Sequence, residues 1–83
     1  MRVFEDVKNI LSDTLNLGER KNSLNAGFIL LGNIPELDSM AVINVITAIE
    51  EHFGIVVNDD EITAETFETV GSLAVFVERK LAR

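Results

Sequence analysis

"PELDSMAVINVITAIEEHFG", residues 35–54, decides how this chain folds. Val42, Ile46, Ile49 and Phe53 recur at helical spacing, and Ile43 and Val45 widen the stripe. That period predicts an amphipathic helix over about 39–53. Asp38 or Ser39 supplies its N-cap. With Asp38 as the cap, Leu37 and Val42 fall at the two positions of a hydrophobic staple. Gly54 stops the helix. An Asp-Ser pair thus stands at the mouth of an apolar helix, in a chain that offers few other reactive groups.

Working outward, Val3, Phe4, Val7, Ile10, Leu11 and Leu15 share one helical face, with Glu5, Asp6, Lys8 and Asn9 on the other. The pattern predicts a first helix over about 2–16, ended by Gly18. "VNDDEI" signals a short third helix: Asn58 and Glu61 have capping-box spacing, and Val57 with Ile62 form a staple. The last helix starts between Thr69 and Ser72 and turns Leu73, Phe76, Val77 and Leu81 inward. Arg79, Lys80 and Arg83 near its end suit the helix dipole. The connection over 17–38 is long for a small domain and needs a purpose; "FILLG" within it predicts that part of it packs back on the helices. The expected fold is all-α: a four-helix bundle of three main helices, one short third helix and a long first loop, in a single domain over 1–83.

Eighty-three residues leave no room for a second core. The absence of Cys excludes disulfides, thiolate metal sites and a Cys nucleophile. Glu5 and Asp6 interrupt what a signal peptide would need as an apolar run, and the run Phe28 to Leu31 is far too short to span a bilayer. The chain reads as soluble, cytoplasmic and monomeric, with no membrane partner. Its net charge of −7 is unevenly spread. Residues 1–37 hold five acids and four Lys/Arg, residues 38–69 eight acids and no Lys or Arg, and residues 70–83 one acid and three Lys/Arg. Nucleic acid is a poor partner for such a surface. Basic protein surfaces are good ones, which makes Glu50 and Glu51 candidate docking residues. The same acids would also keep a small domain in solution, and charge alone leaves both readings open.

Catalysis finds little to work with. His52 lies thirteen residues after Ser39 at the other end of the same helix. At ~1.5 Å per residue the two are roughly 20 Å apart and share no proton. "NDDE" at 58–61 is acidic but lacks the spaced ligands and central Gly of an EF-hand loop, so no dedicated metal site is expected. That leaves Ser39. A Ser at a helix start stands clear of the bundle, and a phosphodiester there would meet free backbone N–H groups and the positive end of the dipole. The neighbouring acids would attract a modifying enzyme with a basic face, and Asp38 would help that enzyme hold a metal ion. Capping and attachment are compatible roles for the pair.

"LDSM" followed by "AVINVITAIEEHFGI" resembles the attachment motif and second helix of acyl carrier proteins. "NAGF" is similar to their loop and "TVGSLAVFV" to their last helix, in the same order along most of the chain. The resemblance implies that Ser39 carries 4′-phosphopantetheine, delivered from coenzyme A by a phosphopantetheinyl transferase. It implies that the arm's thiol holds an acyl or aminoacyl cargo for a ligase or acyltransferase, and that Asp38 and Met40 form part of the surface those enzymes read. The implied protein is a carrier and not an enzyme. The class set against it is an unmodified acidic helical module that binds a basic or amphipathic partner.

Three departures from the family pattern point to a specialised role. Where fatty-acid carriers place acids after the Ser, this chain has Ala41 and Asn44. Ile29, Leu30 and Leu31 replace an acidic step before "LG", and "NIPEL" lengthens the approach to Ser39. The pattern "LLGNIPELDSM" is similar to that of small stand-alone carriers that accompany exopolysaccharide or exosortase systems.

Overall fold

The computed structural model describes residues 2–82, without the side chains of Arg2 and Asp59. Its helices are α1 (Arg2–Leu15), α2 (Ser39–Phe53) and α3 (Val70–Leu81), with 3₁₀ helices at Gly18–Ser23 and Asp59–Glu61. α1 packs against both α2 and α3. The seam is made by Val7, Leu11, Val45, Ile49, Leu73 and Val77, all fully buried. The bundle is therefore the expected helical one, with the second 3₁₀ helix in the place of the short third helix.

Two local expectations are corrected. Asn16, not Gly18, ends α1: it takes the left-handed conformation (φ 57°), and the Leu17 amide reaches back to the Ser12 carbonyl at 3.0 Å. That closure satisfies an orphan carbonyl and turns Leu17 into the core, where it is 5% exposed. The third helix is short, as expected, and amounts to a single 3₁₀ turn. Glu61 does reach back to the Asn58 amide at 3.0 Å, as its spacing predicts, but Thr63 and Thr66 then bond to each other's backbone amides. Such side-chain bonds offer the backbone an alternative to helix. Leu81 points out and Val70 and Ala74 point in, so the inward face of α3 is rotated from the expected one. Arg83 lies outside the described residues. Lys80 is held by both oxygens of Glu61 at 2.8 Å, which ties the 3₁₀ turn to the end of α3.

The long first connection has the purpose its length demands. Leu24, Leu30, Ile34 and Leu37 are buried and close the open side of the helices. Residues 28–31 run extended beside residues 67–70. Leu30 N–H donates to the Glu68 carbonyl (2.9 Å), Leu31 N–H to Phe67 (3.2 Å), and Val70 N–H to Phe28 (3.1 Å). An extended segment alternates its side chains, so Phe28 and Leu30 face the core while Ile29 and Leu31 face outward. Gly71 completes the seam. Its amide donates to the Ala26 carbonyl at 2.9 Å, and a Cβ at that position would stand 2.8 Å from the same oxygen.

Candidate functional site

The start of α2 settles which residue caps the helix. Asp38 has an extended backbone (φ −104°, ψ −173°), and its Oδ1 accepts the Ala41 amide at 2.8 Å. Its carbonyl accepts the first helical bond, from Val42 at 2.9 Å. Ser39 is therefore the first helical residue and is not needed as a cap. It is exposed, and its hydroxyl enters no hydrogen bond among the described residues. The amides of Ser39 and Met40 likewise donate to nothing among the described residues. Two orphan N–H groups and the positive end of a fifteen-residue helix thus lie at the same helix start as a free hydroxyl. Buried Leu37 and half-buried Val42 stand at the staple positions and fix the direction from which the chain enters.

The approach to Ser39 is tied down by one charged pair. Arg20 donates to Glu36 through both guanidinium nitrogens, joining the first 3₁₀ helix to "NIPEL". The hydrogen bonds from Arg20 hold the Glu36 carboxyl below the usual carboxylate range and raise the guanidinium in return.

The other candidate residues divide into three groups. Met40 is 64% exposed and Ile43, one turn on, is 56% exposed, with exposed Asn44 beside them. Ala41 is half-buried and packs against the core, so it does not share the open face with Asn44. Glu51 is exposed, whereas Glu50 is half-buried and its Oε2 accepts the Val57 amide at 2.8 Å. The structure thus brings Asp38, Ser39, Met40 and Asn44 together at one end of α2 and leaves Glu50 and Glu51 near the other. Ile43 was missed as a surface residue because it strengthens the apolar stripe. Its place three residues after Met40 is the signal that both share a helical face.

His52 belongs to the far end. Its Nε2 lies 3.4 Å from Asp6 Oδ2, and its ring meets Phe53 edge-on. It links α2 to α1 and is out of reach of Ser39. Among the described residues, no three His, Cys, Asp or Glu side chains converge on a possible metal site. Among the same residues, no helix is long and apolar enough to cross a membrane.

A free serine thus stands at a capped helix start, with an uncharged face beside it. Residues 5–77 match the family described as the phosphopantetheine attachment site. Over 99% of its length the chain is 36% identical to the whole acyl carrier protein of Helicobacter acinonychis (strain Sheeba). It is 33% identical to that of Helicobacter pylori (strain G27), with the same coverage. The solution NMR structure of a holo acyl carrier protein from Nitrosomonas europaea matches it with a TM-score of 0.91 and 67% identity, each chain covering all of the other. The chain belongs to the acyl carrier protein family. It is accordingly a carrier and not a catalyst.

Proposed function

We propose that Ser39 is the attachment point for 4′-phosphopantetheine, and that the protein presents an acyl or aminoacyl group to partner enzymes. The observation that carries this is that Asp38 makes the cap, which leaves the exposed Ser39 hydroxyl without an internal partner. When bound, the arm supplies the thiol that this cysteine-free chain lacks. The chain's own residues hold the arm's root. The Ser39 and Met40 amides would be available to donate to the phosphodiester, and the Asp38 carboxylate keeps the first turn formed. Met40, Ile43 and Asn44 form the face that a docking enzyme meets first.

The partners are a phosphopantetheinyl transferase and then a ligase or acyltransferase, acting on a cytoplasmic monomer with one carrier domain over 1–83. The uncharged Asn44 and the long "NIPEL" approach favour a dedicated loading enzyme over the housekeeping fatty-acid set. Incubation with coenzyme A and a broad-specificity transferase tests the reading by intact mass. Wild type should gain one phosphopantetheine; Ser39→Ala should remain folded and gain none. An inert wild type supports the unmodified interaction module, and a modified Ser39→Ala moves the site elsewhere.

A further inference from the structure

The outward side of the 28–31 segment does something the core does not require. Ile29 is 54% exposed and Leu31 46% exposed, although Leu30 between them is fully buried. This exposure is built into the backbone. Bonds to Phe67, Glu68 and Val70, the pairing of Ile29 with Thr69, and the Asn33 Nδ2 bond to the Ile29 carbonyl at 2.9 Å hold the register. A polar residue at 29 or 31 would keep every one of these main-chain bonds. Two residues apart on an extended segment, the two side chains stand roughly 6.5–7 Å apart on one face.

Together with Ala64, Glu65 and Glu68 they line an open groove of about 440 Å³ to which no residue of α2 contributes. Glu65 and Glu68 are exposed, and neither enters an ion pair among the described residues. They belong to the stretch 38–69, which holds no Lys or Arg. An apolar floor flanked by two unpaired carboxylates is complementary to an aliphatic side chain flanked by cations. A neutral or acidic partner would desolvate those carboxylates without compensation.

We propose that the groove of Ile29, Leu31, Ala64, Glu65 and Glu68 is a second docking surface, separate from the start of α2, for a protein partner presenting an apolar side chain between Lys or Arg residues. It sets partner choice independently of what Ser39 carries, and it stands whether or not Ser39 is modified.

The test uses the full-length ¹⁵N-labelled chain and a short amphipathic helical peptide of leucine and lysine, with a leucine and glutamate peptide as control. The lysine peptide should shift the amides of residues 29–31 and 64–68 saturably, and the glutamate peptide should not. Ile29→Gln with Leu31→Gln should weaken binding about tenfold through lost apolar contact. Glu65→Lys with Glu68→Lys should weaken it about as much at low salt and make little difference at high salt. All four positions are exposed, so an unchanged amide spectrum outside the groove shows that the variants are folded. The proposal is overturned by shifts confined to Met40 and Ile43, by an Ile29/Leu31 variant that binds as wild type does, by binding of both peptides alike, or by no saturable shift. Concentration-dependent shifts at the groove without peptide would overturn it in favour of a second copy of the chain.

Discussion

At its start α2 makes one side-chain bond, from the Ala41 amide to Asp38, and then exposes Ser39, Met40 and Ile43. At its other end several groups are tied down by hydrogen bonds. Gly54 turns left-handed (φ 67°), the Gly54 and Ile55 amides both reach the Glu50 carbonyl, and the Glu50 side chain takes the Val57 amide. His52 stands against Asp6 on α1. One helix thus has an anchored end and a presenting end. The presenting end keeps its hydroxyl and its amides free, as the proposed attachment of the arm at Ser39 requires. The anchored end spends the same kinds of group, a carboxylate and backbone amides, on holding the loop that follows.

The sharpest test of this contrast is all-or-none. Ser39→Ala should abolish phosphopantetheine transfer with almost no change in thermal stability, because an exposed, unbonded hydroxyl holds nothing up. His52→Ala should leave transfer intact and lower the melting temperature slightly by loosening α1 from α2. A Ser39→Ala protein that unfolds, or a His52→Ala protein that cannot be modified, would erase the distinction between the two ends.

Next in size is the effect of the anchoring carboxylate. Glu50→Ala should cost about 1 kcal/mol, with the amide of buried Val57 left without its acceptor. Glu51→Lys, at an exposed neighbour, should stay within about 0.5 kcal/mol. Chemical denaturation of both variants measures the difference. It also changes how docking by charge is to be tested: reversing Glu50 disturbs the fold, so Glu51→Lys is the clean probe of a salt-dependent association rate. Equal stabilities for the two variants would mean that the Val57 bond contributes nothing.

The presenting end was easier to read from sequence than the seams around it. Asp38, the Leu37/Val42 staple and Gly54 are local signals, and α2 runs between them as their spacing dictates. Asn16 displaced Gly18 as the end of α1 because the buried position of Leu17 set the turn, and burial is a tertiary fact. The 28–31 seam was legible only as apolar. Its alternation is four residues long, and its partner lies some forty residues away, at 67–70. No local period reports a pairing at that range. The open face of α2 was half legible: Met40 and Asn44 lie on it, but Ala41 is turned toward the core and Ile43 takes its place.

Partner choice is tested at Asn44, where effects should be smaller. Asn44→Glu adds an acid on the exposed face, whereas Ala41→Asp would place one against the core and confuse docking with stability. An exposed charge pair contributes about 0.2–1 kcal/mol, so Asn44→Glu should speed loading by housekeeping fatty-acid enzymes only a few-fold. The rate of thioester formation, with a standard fatty-acid carrier alongside, is the readout. A wild type loaded as fast as the standard would show that the missing acid does not select the partner.

The smallest effect concerns the approach to Ser39. Arg20 holds the Glu36 carboxyl below its ordinary range, so the folded state binds a proton there less readily than the unfolded chain does. A carboxyl depressed in this way stabilises the fold above the unfolded carboxylate range, and that contribution is lost as pH falls through the folded value. Both groups face solvent, so the stability at stake is slight and screened by salt. Local order is the better observable. The pair joins residue 20 to residue 36, across the loop that leads into Asp38. Acidification through the depressed Glu36 range should therefore raise amide exchange, corrected for intrinsic rates, at residues 33–38. Glu36→Gln should produce the same loosening at neutral pH and remove its pH dependence, with Ser39 still open to modification. If Glu36→Gln loosens residues 33–38 and 50–57 together, the two ends of α2 respond as one unit, and the separation of a presenting end from an anchored one fails.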